Sequence, residues 1–296
     1  MPLRARTRTR KLSSKDRLGL ALFAAVIGVV TVLTTLTLVL ETRSSAGPCA
    51  EVSIAQRTYP VRHTVVLVDK TDPLTPAQQQ ALHARLSSLK GEVAEGERLS
   101  IFYIDAEQGL SPVVFSRCNP GDATSANPLY ENPQMIQTTY NAFFGAPLDG
   151  VIQELGRGGG APRSPILEAI GSLASELTVP GDWPADARAP ERHLVLVSDL
   201  LQHMPPEYSQ YGVSAPLDYS AFAQSAYGQQ RRPSLSGVDV EILYLLRAGA
   251  GGLAQGPEHL SFWNALFTDA GAHGLTVHRL GSTRADDLSA QSPASR

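Results

Sequence analysis

A run of 23 residues without a single charge, Leu18–Leu40 (LGLALFAAVIGVVTVLTTLTLVL), constrains this chain more than any other feature. As a helix rising about 1.5 Å per residue it reaches about 34 Å, enough to cross a hydrocarbon core of about 30 Å. The residues before it hold seven basic side chains (Arg4, Arg6, Arg8, Arg10, Lys11, Lys15 and Arg17) against one acid, Asp16. Positive charge packed on one flank of a span keeps that flank in the cytoplasm. The sequence therefore predicts a single-pass protein of the inner (cell) membrane: residues 1–17 form a basic cytoplasmic tail, 18–40 the transmembrane helix, and the C-terminal part is periplasmic or extracellular. A cleaved signal peptide is the rival reading, with Ser44-Ser45-Ala46 a passable cleavage site. The apolar cores of such peptides, however, usually run to only about 7–15 residues. A basic tail can also bind nucleic acid by displacing counterions from phosphates. Its place directly before a membrane span argues otherwise, and no nucleic acid is expected.

The rest of the chain has room for one domain of ordinary size. A content of 43% hydrophobic and 18% charged residues suits a folded protein rather than a long disordered one. Residues 41–58 are polar and read as a tether, 59–281 as the domain, and 282–296 as a disordered tail. Within the domain, His63–Asp69 (HTVVLVD), His193–Asp199 (HLVLVSD) and Val238–Leu245 (VDVEILYL) are compact apolar runs of the kind that parallel strands buried on both faces require. Thr75-Pro76-Ala77-Gln78 is a capping box that opens a helix carrying Leu82, Leu86 and Leu89 on one face. Arg98–Asp105 and Ser111–Arg117 lie too close together for a crossover helix and predict an antiparallel hairpin. A helical segment is expected within Gln134–Leu155, further helices after Ser164-Pro165 and over Glu258–Ala270, and a last strand at Leu275–Leu280. The alternation implies an α/β fold: an open, mostly parallel six-stranded sheet with helices on both faces, preceded by the transmembrane helix.

Two aspartates, Asp69 and Asp199, end apolar strands. In an open α/β sheet the crevice beyond the carboxyl ends of the strands is where ligands collect. Over roughly Tyr59–Leu280 the sequence resembles the von Willebrand factor A (vWA) family, in a membrane-anchored form. The resemblance rests on Asp69-Lys70-Thr71-Asp72-Pro73 after the first strand, on Ser164 in RSPILEAI, and on Asp199 in LVLVSDLL. It implies that Asp69, Thr71, Ser164 and Asp199 hold a divalent cation, Mg²⁺ or Mn²⁺. Oxygen ligands of this kind suit such a hard ion, which a partner's carboxylate can then join. Pro73 stands where the family places a second serine and cannot ligate, so the site is degenerate and binding is expected to be weak. Without metal, Ser164 would serve as a helix N-cap before Pro165, and Thr71 and Asp72 would build the turn.

The loop Gln202–Leu217 leaves the same sheet edge and carries His203, Tyr208 and Tyr211. Amphipathic aromatics favour interfaces, so Asp72, Tyr208 and Tyr211 are candidate partner-binding residues; the alternative is that these rings pack the loop onto the domain. Two cysteines, Cys49 and Cys118, both lie beyond the membrane segment, where an oxidising compartment permits a disulfide between them. Two unrelated thiols remain the alternative. The sequence has no Gly-x-Ser-x-Gly elbow, no His-Glu-x-x-His and no paired-cysteine zinc spacing. The expectation is a non-enzymatic, membrane-tethered module that binds another protein of the cell envelope. A metal-independent structural subunit of an envelope complex is the alternative, and a metal-dependent phosphoesterase a third.

Overall fold

The computed structural model describes residues 27–28, 51–54, 57–60, 62–124, 126, 131–155, 159–178, 189–211 and 217–280. Of the expected transmembrane helix only Ile27 and Gly28 fall within this set, both helical. Among the described residues no helix is long and apolar enough to cross a membrane. The basic tail, the rest of Leu18–Leu40 and residues 282–296 lie outside the described residues. The chain divides into two units, Met1–Ala46 and Gly47–Arg296, and the second carries the domain.

Its first elements, β1 (Glu51–Ile54) and β2 (Arg57–Pro60), pair antiparallel with Glu51 opposite Pro60. The stretch read as a tether thus contains a hairpin, built from segments in which Val52, Ile54, Thr58 and Tyr59 favour strand. The main sheet follows. Its strands are β3 (Arg62–Asp69), β4 (Arg98–Asp105), β5 (Gly109–Leu110), β6 (Phe115–Cys118), β7 (Glu191–Ser198), and, after a small hairpin of β8 (His203–Met204) and β9 (Tyr208–Ser209), β10 (Asp239–Leu245) and β11 (Gly274–Leu280). The order across the sheet is β11-β10-β7-β3-β4-β5, with β6 also paired to β4. β3, β4, β7, β10 and β11 run parallel, whereas β5 and β6 run antiparallel to β4.

The sheet has seven strands where six are expected, because the return arm of the hairpin is broken. Pro112 has no N–H to give to a ladder. Beside it, the Ser111 hydroxyl accepts the Tyr103 N–H at 2.9 Å in place of a backbone carbonyl. Backbone pairing resumes where the Val114 N–H donates to the Ile101 carbonyl.

Alternation along the central strands feeds two cores. Val65, Leu67, Leu194 and Leu196 face one side, against Ile166 and Ile170 of the helix Ile166–Leu173 and Phe262 and Trp263 of the helix Pro257–Asp269. Val66, Val68, Val195 and Val197 face the other, against Leu82, Leu86 and Leu89 of the helix Pro76–Glu92 and Leu148 and Ile152 of Ala146–Glu154. The capping box of Thr75 and Gln78 is formed in both directions. The helical segment expected before Leu155 is Pro133–Tyr140, a π-helical turn at Asn141–Gly145, and Ala146–Glu154. At the far edge, Cys118 is buried and disulfide-bonded. The sequence has one other cysteine, Cys49, which lies outside the described residues.

Candidate functional site

β3 and β7 are adjacent and parallel, so the aspartates that follow their apolar runs emerge side by side at the carboxyl edge of the sheet. Asp69 and Asp199 are both 1% exposed. A buried carboxylate needs partners for both oxygens, and each has them. Asp69 Oδ1 accepts the Thr71 backbone N–H at 3.0 Å and the Thr71 hydroxyl at 2.6 Å. Its Oδ2 accepts the Ser198 hydroxyl at 2.8 Å and the Ser164 hydroxyl at 3.4 Å. The Thr71 and Ser164 hydroxyl oxygens are 3.1 Å apart. Asp199 Oδ1 accepts the Leu201 N–H at 2.8 Å, and its Oδ2 accepts Arg247 Nε at 2.6 Å.

Three of the four expected metal ligands, Asp69, Thr71 and Ser164, thus form one hydrogen-bonded group. The fourth, Asp199, stands beside them on the next strand and is tied to an arginine. Ser164 is not the helix cap that the alternative reading made it. The helix begins after Pro165 without a side-chain cap, and its Leu167 N–H is met by Gln202 Oε1 at 2.9 Å. Ser164 is instead fixed by a two-way backbone bridge with His203, at 2.8 and 3.0 Å.

Arg247 lies two residues past β10, at the same edge. Its Nη1 donates to the Pro73 carbonyl at 2.8 Å, so the residue that cannot supply a hydroxyl supplies a backbone acceptor. Gln255 Oε1 accepts the Arg247 N–H at 2.7 Å, while its Nε2 donates to the carbonyls of Asp199 and Leu245. Among the described residues, the buried Arg247 Nη2 has no hydrogen-bond partner. Burial, then the neighbouring charge of Asp69, pushes the Asp199 carboxyl up to about 7, against the pull of Arg247. Burial acts to lower the pKa of Arg247, but Asp199, with Asp72 and Asp69, raises it overall.

The backbone departs from its usual range at the same place. Leu200, fully buried, has a φ of 60°, a left-handed conformation that a branched side chain rarely adopts. It is held there by the Ser198 hydroxyl, which accepts the Leu200 N–H at 2.9 Å, and by His259 Nε2 on the Leu200 carbonyl at 3.0 Å.

Above this floor, the Tyr211 hydroxyl donates to Asp72 Oδ2 at 2.6 Å. The Tyr211 ring meets His203 edge-on at 4.9 Å. Burial, then the charges of Asp199 and Asp72, raises the Tyr211 pKa. Tyr208 does otherwise: it stacks on Tyr227 and packs against Phe222 and Phe262, joining the core. It packs the loop down, while Asp72 and Tyr211 form the half-buried rim.

Ser198, Gln202, Arg247 and Gln255 were not among the residues that the sequence singled out. Arg247 follows an apolar strand run, but a long cationic side chain in that place ordinarily reaches water and gives no sign of a buried partner.

Counting the broken hairpin arm as one strand, Asp69 ends the first strand of the sheet and Asp199 follows the fourth. The hairpin supplies the second and third, and Ser164 comes from the intervening connection. The fold is vWA-like. No protein-family model matches the sequence, and no curated protein matches it. Solved structures similar to the chain include human COPII-coat protein Sec24c, with a TM-score of 0.40 at 10% identity over 74% of this chain. The chain spans 29% of the length of Sec24c. The SpRpn10 VWA domain has a TM-score of 0.34 at 11% identity, over 75% of this chain and 89% of its own. BatB from Bacteroides thetaiotaomicron has a TM-score of 0.33 at 10% identity, over 74% of this chain and 91% of its own.

Proposed function

We propose that this vWA-like domain is a non-enzymatic binding or assembly module, tethered to the inner membrane through Leu18–Leu40, that presents the carboxyl edge of its sheet to another protein of the cell envelope. The observation that carries the reading is the rim formed by Asp72 and Tyr211. A tyrosine whose ring is partly buried and whose hydroxyl is held by a carboxylate offers contact area at low entropy cost, together with a polar tip. Tyr208, from the same loop, helps Phe222 and Tyr227 line an open hollow of about 570 Å³, large enough to accept an apolar side chain of a partner.

The reading is tested by capture from detergent-solubilised membranes with the full chain as bait. A protein that copurifies with the wild type should be lost with Tyr211→Ala and with Asp72→Arg. It should be retained with Asp239→Ala, a change at the exposed amino-terminal end of β10. Equal recovery with all three variants would place the contact elsewhere. The orientation is tested separately, by a reporter fused after Arg296 that is active only when exported. Activity of a cytoplasm-only reporter at that position would overturn the tethering.

A further inference from the structure

We propose that Arg247 is the resident cation of this site, doing for Asp69 and Asp199 what a divalent ion would otherwise do, so that the edge is built without metal. The proposal rests on side-chain geometry alone and not on the partner-binding reading of the same edge.

Two adjacent buried carboxylates repel unless positive charge lies close to them. Arg247 supplies that charge. Its Nε is 2.6 Å from Asp199 Oδ2, with side chains only 12% and 1% exposed. The guanidinium is fixed from two directions, by Asp199 on Nε and by the Pro73 carbonyl on Nη1, while Gln255 holds the Arg247 backbone N–H. Proline at position 73 and arginine at position 247 therefore belong together. The proline removes a hydroxyl that could ligate an ion, and its carbonyl seats the group that replaces the ion.

The remaining oxygens are also accounted for. Both oxygens of Asp69 are taken by donors from Thr71, Ser198 and Ser164, and the second oxygen of Asp199 by the Leu201 N–H. Mg²⁺ demands near-ideal octahedral oxygen coordination. Here it would have to displace these donors and sit beside a guanidinium of like charge. The residues present do not fit that ion while Arg247 holds Asp199.

The test is thermal melting of the full chain in detergent, in a chelator and in millimolar Mg²⁺ or Mn²⁺. The wild type should melt at the same temperature in all three. Arg247→Met should melt lower in the chelator and recover by several degrees when Mn²⁺ or Mg²⁺ is added, because the acid pair then needs an external cation. Arg247→Lys keeps a positive charge and should remain indifferent to metal, which keeps the proposal testable if the methionine variant does not fold in chelator. A wild-type melting temperature that rises with Mg²⁺ would overturn the assignment. So would a folded Arg247→Met that ignores divalent ions, or an Arg247→Lys that responds to them.

Discussion

Asp199→Ala should destabilise the domain by about 3–5 kcal/mol, the usual cost of removing one member of a buried ion pair. The loss comes mainly from what remains: a guanidinium with a side chain 12% exposed that keeps the Pro73 carbonyl but loses its paired carboxylate. Removing both members should be less harmful than the two single changes suggest. With Asp199→Ala, Arg247→Met and the double variant compared by urea unfolding, the double should be more stable than additivity predicts by about 0.5–3 kcal/mol, the range found for residues in contact. Additive losses would show that the pair is not coupled, whatever its distance.

Acid should unfold the domain partly through its buried histidines. His63, on the first strand of the sheet, bonds Ser100 Oγ at 2.8 Å. Burial, aided by the charge of Arg98, lowers its pKa to about 4. Burial lowers His259 likewise to about 4. The unfolded chain binds these protons near pH 6.5 and the folded chain does not. Each histidine's contribution is therefore complete above pH 6.5 and is lost as the pH falls towards 4. Between pH 8 and pH 5 the loss is about 2 kcal/mol for each. Asp199 acts in the opposite sense over the same range, because its folded pKa is raised, so the comparison must be between variants. Wild type should lose about 2 kcal/mol more than His63→Gln between pH 8 and pH 5 in urea unfolding. An equal loss in both would show that His63 titrates as it does in the unfolded chain.

The parts of this site that a sequence can display are those set by local pattern. Asp69 and Asp199 stand out because each interrupts a run of Val and Leu that only a doubly covered strand tolerates, and parallel pairing then brings them together. Thr71 is legible because it is two residues from Asp69 and bonds back to it. Arg247 is not legible in the same way. A long cationic side chain after a strand ordinarily reaches water, and nothing near position 247 reveals that its partners are Asp199 and Pro73, far away in the chain. Gln202 fails for the same reason: it completes a helix start that begins 35 residues earlier, so a local search for a cap settles on Ser164 instead. The split of the third strand could have been read from Pro112, whose missing N–H breaks a ladder wherever it falls. The hairpin in the stretch read as tether depends on two four-residue segments finding each other, which composition alone does not specify.

Glutamine side chains join the strand ends at this edge. Gln78 Nε2 reaches the Leu246 carbonyl, Gln255 Nε2 spans the carbonyls of Asp199 and Leu245, and Gln202 ties the helix start to Glu168 and Tyr227. The joints of Gln78 and Gln255 pair a primary amide with a carbonyl, neither of which carries a charge to be screened or a proton to lose, so they keep their form as salt and pH vary; Gln202 differs, because its partner Glu168 is a carboxylate. On the proposed reading of this edge as a binding surface, the joined strand ends leave little ordering to be done there on contact, and association should be limited by orientation rather than by a conformational search.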